Sequence, residues 1–333
     1  MTSFDSHHST TRLMTTIRPD GLKDLPVVSG RIAEGGLRTK GYYKKTSSET
    51  PLVTVITVVL NRAHCFEKCI QSVLSQSYSN LEYIVIDGTS SDGTIDLLQK
   101  YNDFIDYWIS EPDNGLYYAM NKAIDVATGD WLYFIGSDDV MLDCLISIVP
   151  KLKAEDAIYY GDVFGIGRKR IYNGPFTHYR VHVKGINHQG MFFPQKVFNL
   201  KRYDVTYRIA ADYDLNLYCL IYGGYQFVYI NELIALYNDV DGVSSKDRSV
   251  FGEFRSIIRK YRGFRGAYYT SRLLLTSLLE TLHFKDPLHK LMSFFFTSEN
   301  TQDRKNIARK LIEKGFGIEE AKNIAGTSHN FQK

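Results

Sequence analysis

Apolar and polar positions alternate in blocks from Pro51 onward. VTVITVVL, residues 53–60, is a continuous β-branched run of strand length. Such a run suits a strand buried on both faces, as in a parallel sheet. Residues 63–76 place Ala63, Phe66, Ile70, Val73 and Leu74 on one side of a helix. LEYIVID, 81–87, reads as a second strand, and SSDGT as a turn in which Ser91 or Asp92 caps a helix reaching about Tyr101. DYWIS, 106–110, is a short third strand. A helix follows from about residue 115, stopped by Gly129, and DWLYFIG is a fourth strand. Strand and helix alternate through 53–153, which predicts a doubly wound α/β sheet with right-handed crossovers.

In such sheets ligands bind beyond the carboxyl ends of the strands. The polar residues fall there: Asn61 and Arg62, then Asp87, then Glu111 to Asn114, then Asp138 and Asp139. After 153 the alternation weakens. AIYYGDVF and KRIYNGPF suit a hairpin over GIGR, NHQGMFFP another strand, AADYDLNLYCLIYGG a helix and YQFVYI a strand. Residues 1–50 are polar and irregular and read as a flexible arm. Its GGLRTKG segment suits a loop whose cations meet either phosphate or solvent. The organisation expected is an arm over 1–50, a catalytic domain over 51–247 and a helical, basic-aromatic region over 248–333.

The chain has 333 residues, 44% of them hydrophobic, enough for a large core. Its 40 basic and 37 acidic residues leave a net charge of +3, without the basic excess of a dedicated nucleic-acid binder. Four cysteines, Cys65, Cys69, Cys144 and Cys219, make no disulfide scaffold and point to a reducing compartment. With no secretory signal and no run of about 18 apolar residues, the expected location is cytoplasmic.

Two adjacent aspartates at a strand end raise each other's proton affinity unless a cation stands by. Taken alone, the pair is more simply read as a turn or helix cap before MLDCLISIV. A divalent cation is the other account, since Mg²⁺ and Mn²⁺ take carboxylate oxygen and share their sphere with substrate phosphates.

VTVITVVLNR, CIQSVLSQSYSNLEYIVIDGTSSDGT and EPDNGLYYAMNKAIDVATGDWLYFIGSDD together resemble glycosyltransferase family two, the nucleotide-sugar transferases of GT-A fold. The resemblance covers about residues 51–245, and the EPDNG and ADYDL segments resemble its exopolysaccharide and colanic-acid branch. It implies a Rossmann-like mixed sheet flanked by helices, with a C-terminal helical extension. It also implies a metal-dependent, inverting transfer from a UDP- or GDP-sugar, with Mn²⁺ or Mg²⁺, in exopolysaccharide, O-antigen or capsule biosynthesis.

Residue by residue, the resemblance puts Asp87 on the nucleotide base, and Asp113, Asn114 and Gly115 in the loop lining the donor pocket. Asn121 and Lys122 fall on the helix face behind that loop. Asp138 falls beside the ribose or donor sugar, Asp139 on the metal, and Asp212 on the acceptor as catalytic base. His188 is implied near the acceptor or diphosphate, and a structural histidine is the other reading. Arg248 reads as a phosphate contact or a surface arginine. Two departures stand out: Gly88 follows Asp87 where many members have a second aspartate, and Ala211 precedes Asp212 where many have glutamate.

FRSIIRKYRGFRGAYYTSRLLLTSLLETLHFKDPLHKLMSFFF, 254–296, interleaves eight Lys or Arg with large apolar residues. It suits either a membrane-interface helix on anionic headgroups or a bundle packed on the core. A polyprenyl-diphosphate-linked saccharide acceptor at the inner face of the plasma membrane matches the first. A degenerate transferase that binds nucleotide-sugar as a scaffold is the alternative to catalysis.

Overall fold

A computed structural model describes residues 8–26, 28–176, 185–240 and 249–261. Twelve strands and their helices, numbered in chain order, are present among them. The first ones are β1 (Met14–Thr15), β2 (Ala33–Gly35), β3 (Tyr43–Lys44), β4 (Val53–Val59), α1 (Ala63–Leu74), β5 (Leu81–Asp87), α2 (Thr94–Lys100), β6 (Tyr107–Ser110), α3 (Leu116–Val126) and β7 (Trp131–Gly136). Then come β8 (Val140–Met141), β9 (Ala157–Gly165), β10 (Arg170–Tyr172), β11 (Met191–Pro194) and β12 (Gln226–Tyr237). Helices Ala211–Ile221 and Val250–Lys260 flank β12 in sequence.

The central sheet runs β2-β6-β5-β4-β7-β11-β9-β12-β8, with β10 beside β9. β6, β5, β4 and β7 are parallel, and β4 lies between β5 and β7. The strand order therefore reverses at β4/β7, so a crevice opens there beyond the strand ends. β11 is antiparallel to β7 and β9.

Alternate residues of each strand face opposite ways. Val53, Val55, Tyr83, Val85, Tyr133 and Ile135 meet Phe66, Ile70 and Val73 of α1 on one face. Ile56, Ile84, Ile86, Leu132 and Phe134 meet Tyr117, Met120 and Ile124 of α3, with Leu215 and Cys219, on the other. This is why the strands read as unbroken apolar runs.

Gly129 is not the helix stop expected from the sequence. α3 ends at Val126 with Ala127 extended. A side chain at Gly129 would stand 2.7 Å from the Thr54 nitrogen and 2.8 Å from the Leu52 carbonyl. The glycine is needed for close backbone approach.

The first fifty residues are also not a flexible arm where they are described. β2 pairs antiparallel with β6, Ala33 opposite Ser110 and Gly35 opposite Trp108. Leu37 is fully buried and Lys44 nearly so. Arg38, read as meeting phosphate or solvent, does neither. Its guanidinium ion-pairs with Glu82 and donates to the Val126 carbonyl at 2.6 Å. Glu82 also accepts from Thr54 Oγ1 at 2.6 Å and the Thr128 nitrogen at 2.9 Å. Glu82 is the second residue of β5, five residues or about 17 Å from Asp87 at its other end. Arg31, Arg38 and Lys40 of this segment pair with Glu111, Glu82 and Asp103, partners far along the chain that a local pattern does not show.

Burial alone would raise the Glu82 pKa; Arg38 and the threonine donors outweigh it and lower it. A lowered folded-state pKa adds stability above the ordinary carboxylate range, and that stability is lost as pH falls through the lowered value. Arg38→Ala leaves Glu82 buried without its cation. It is expected to lower unfolding free energy at pH 7 by about 3–5 kcal/mol, the usual result of breaking a buried pair. Urea unfolding of both proteins checks this, and the gap should narrow in acid as Glu82 protonates.

Candidate functional site

Four strand ends meet at the crevice. Asn61, left-handed at φ 52°, follows β4. Its Oδ1 accepts from the Ser91 nitrogen at 2.8 Å, and its own nitrogen donates to Ser90 Oγ at 2.7 Å. Asp92 accepts from the Ala63 nitrogen at 3.0 Å and the Thr94 nitrogen at 3.1 Å, tying the starts of α1 and α2 together.

Asp87 is not placed to hold a nucleotide base, contrary to the expectation. Its side chain is fully buried. It accepts from the Ser90 nitrogen at 3.0 Å, from Ser110 Oγ at 2.6 Å and from the Ser90 hydroxyl. The carboxylate organises the loop, while Gly88 and Thr89 form its outer surface.

The next loop is clamped from behind. Lys122 on α3 ion-pairs with Glu111 at 2.6 Å and with Asp113, and donates to the Pro112 carbonyl at 3.1 Å. Arg31 closes the other side on Glu111 at 3.0 Å. Lys122 and Asp113 are therefore bound to each other rather than presented to a ligand. Asn121 is likewise a structural clamp, donating to the Tyr203 carbonyl at 2.9 Å and accepting from its nitrogen at 3.1 Å. Pro112, Asn114 and Gly115 are the exposed residues of the loop.

Beyond β7 the aspartate pair divides. Asp139 is 1% exposed. Its Oδ1 accepts from the Asn238 nitrogen at 2.8 Å and its Oδ2 from Gln189 Nε2 at 2.9 Å. The carboxylate folds back over Gly136, where any side chain would stand 2.5 Å from Oδ2. Asp138 is half-buried and accepts from Asn238 Nδ2 at 3.2 Å. Burial, and then Asp138 beside it, raise the Asp139 pKa to about 6; the Asn238 N–H, Gln189 and His188 pull the other way.

Asp212 stands in the first turn of Ala211–Ile221, 28% exposed. His188 Nδ1 lies 3.6 Å from its Oδ2, and the Tyr117 hydroxyl, whose proton goes to the Ile209 carbonyl, lies 3.4 Å from its Oδ1. His188 and Gln189 belong to one short turn, His188–Gly190. One arm of that turn reaches Asp212 and the other reaches Asp139. The resemblance places the His-Gln pair, His188 with Gln189, near the acceptor or diphosphate; Asn238 and Tyr117 were missed, because they touch the site from distant segments. Asp214 faces away, fully buried against Lys201 at 2.9 Å and Lys260 at 2.9 Å. Arg248 lies outside the described residues.

The donors fit a hard divalent cation. Two carboxylates at a strand end raise one another's proton affinity, a field that a cation relieves. Each carboxylate oxygen of Asp139 carries one bond and has a lone pair left. Among the described residues no third acidic, histidine or cysteine side chain completes a cluster, so substrate oxygens and water would fill the remaining positions, as Mg²⁺ and Mn²⁺ usually have it.

The Asp138–Asp139 pair beyond β7 and the Asp212 carboxylate are thus linked through the single turn His188–Gly190. Residues 54–213 match the family model described as glycosyl transferase family 2. A Mycobacterium tuberculosis protein described as an uncharacterised glycosyltransferase is 33% identical over 183 residues, 51% of this chain and 69% of that protein. A PGL/p-HBAD biosynthesis glycosyltransferase of the same species is 29% identical over 205 residues, 59% of this chain and 80% of the relative.

Two solved structures share the fold. A mannosyltransferase from Pyrobaculum calidifontis, in complex with GDP-Man and Mn²⁺, superposes with a TM-score of 0.51 at 15% identity, covering 86% of this chain and 91% of that one. S. aureus TarS 1–349, in complex with UDP-GlcNAc, gives 0.51 at 13% identity, covering 79% and 80%. The chain belongs to glycosyltransferase family 2 and is a glycosyltransferase of GT-A fold using a nucleotide-sugar donor. Among the described residues no helix is long and apolar enough to cross a membrane.

Proposed function

We propose that the protein is an inverting, metal-dependent transferase that moves a sugar from a UDP- or GDP-sugar to a saccharide acceptor. The observation that carries this reading is the His188–Gly190 turn, which joins Asp212 to the Asp138–Asp139 pair across one crevice. Asp212 takes the proton of an acceptor hydroxyl as that oxygen bonds to the anomeric carbon. The bond from that carbon to the diphosphate oxygen breaks on the opposite side, which inverts the centre. His188 and Tyr117 hold the Asp212 carboxylate toward the acceptor. Asp138 and Asp139 would hold Mn²⁺ or Mg²⁺, which when bound supplies positive charge to the departing diphosphate. Asn114 and Gly115 at the mouth, with Gly88 and Thr89, are the surfaces left for the nucleoside and sugar.

The acceptor proposed is polyprenyl-diphosphate-linked, met at the inner face of the plasma membrane by a cytoplasmic, peripheral enzyme in exopolysaccharide, O-antigen or capsule synthesis. Its support is the basic, aromatic stretch 254–296, which lies mostly outside the described residues. Phe251, three residues before it, is 53% exposed.

Melting temperatures with UDP, GDP, CDP and dTDP, each with and without Mn²⁺, test the reading. A ligand that binds only the native state raises apparent stability. One nucleotide should stabilise the protein in a metal-dependent way and name the donor class. Equal, absent shifts with all four and metal would sink the metal-diphosphate reading.

A further inference from the structure

The helix that carries Asp212 begins without a cap of its own. Its N-cap position is Ala210, which has no side-chain oxygen to offer and is 1% exposed. The three N–H groups that lead into it, on Arg208, Ile209 and the N-cap Ala210, are met instead by a side chain more than forty residues later. Glu253, in the first turn of Val250–Lys260, accepts from the Arg208 nitrogen at 2.7 Å, the Ile209 nitrogen at 3.0 Å and the Ala210 nitrogen at 2.9 Å. Both carboxylate oxygens are used, so the charge and the geometry of glutamate are matched to three consecutive donors.

The same peptide segment is held from the opposite side. Tyr117, two residues past the exposed Gly115, donates its hydroxyl to the Ile209 carbonyl and lies 3.4 Å from Asp212 Oδ1. Ile209 is thus fixed through its N–H by Glu253 and through its carbonyl by Tyr117. Further along, Phe254 packs on Tyr213 with ring centroids 4.6 Å apart. Ile257 and Ile258 join Ala210, Tyr213 and Leu217 in one buried cluster. Lys260 and Tyr261 donate to Asp214 at 2.9 and 3.0 Å. The helix 250–260 therefore grips the base-bearing helix at its start and again one turn inside it.

We propose that Glu253 is a positioning residue for the transfer reaction, setting where the Asp212 helix begins and so where its carboxylate stands. The inference rests on Asp212 being the base. Glu253 touches no reacting atom; it acts through the Arg208–Ala210 segment. A displacement of about 1 Å at a catalytic group costs on the order of 10²-fold in rate. The loss therefore belongs to kcat, and donor binding at the other wall of the crevice is untouched.

The experiment is a double-mutant cycle on the full chain, using whichever nucleotide-sugar turns over and active molecules counted by nucleotide binding. Glu253→Ala is expected to lower kcat per binding-competent molecule by about 10–100-fold, with donor KM and the nucleotide-induced melting shift unchanged. Glu253→Gln keeps one acceptor oxygen for the three donors; it should retain part of that activity, and it serves if the alanine variant does not fold. In the Asp212→Asn background neither change should lower the residual rate further.

A merely structural cap predicts otherwise: fewer competent molecules, each with wild-type kcat, and that result would overturn the proposal. So would an equal loss in the Asp212→Asn background, since Glu253 would then act independently of the base. Full turnover by Asp212→Asn alone would remove the base assignment itself and the inference with it. That outcome is read from the single variant, before the cycle is built.

Discussion

Asp212→Asn is expected to abolish most turnover, by about 10³-fold, while nucleotide-sugar binding stays at the wild-type level. General-base assistance contributes about 10²–10⁴-fold when the base is in place, and the amide has no comparable basicity. The substitution is nearly isosteric. Asn Oδ1 can still accept from the Tyr213 nitrogen, which lies 2.8 Å from Asp212 Oδ1, so the helix start is preserved. Tyr117 keeps its second partner in the Ile209 carbonyl. Steady-state rates beside the nucleotide-induced melting shift separate the two effects. Wild-type turnover in a variant with normal donor binding would rule Asp212 out as the base. Loss of donor binding along with turnover would place Asp212 at the donor rather than the acceptor.

The second large effect falls on Asp139. Asp139→Asn is expected to lose the metal-dependent nucleotide shift and to reduce turnover by about 10²-fold or more, a usual outcome when charge stabilisation at a developing anion is removed. It should not unfold the protein. The buried carboxylate is held ionised against its burial and against Asp138, as its raised pKa shows. A neutral amide removes that opposition, still accepts from the Asn238 nitrogen through Oδ1, and donates through Nδ2 to Gln189 once the Gln189 amide turns its oxygen inward. Melting of the variant without ligand should therefore rise, while its response to Mn²⁺ and nucleotide disappears. That pattern is the trade of stability for function expected where like charges are kept together for a ligand. A lowered melting temperature with the metal response intact would make Asp139 a loop anchor and leave the cation to Asp138 alone.

Strand 81–87 and the parallel core were legible because burial on both faces writes a continuous apolar run, and α1 because one-sided packing writes a helical stripe. The paired aspartates were visible through their place at a strand end, and Asp212 through the family resemblance of its ADYDL segment. The sequence could not show which polar residues would be used up inside the protein. Asp87, Asn121 and Lys122 occupy the right strand end and helix face. Their side chains are taken by Ser90 and Ser110, by Tyr203, and by Glu111 and Asp113.

A local pattern records which residues leave water, and so it determined the sheet, the helices and the edge of the sheet where chemistry sits. It does not record partners that the chain brings together across fifty or a hundred residues. Those partners alone decided that Arg38 belongs to Glu82, that Gln189 and Asn238 hold Asp139, and that His188, Tyr117 and Glu253 converge on the start of the Asp212 helix. Hydrogen bonds and ion pairs are short-ranged and directional, so their pairing is settled only when tertiary packing has fixed the distances.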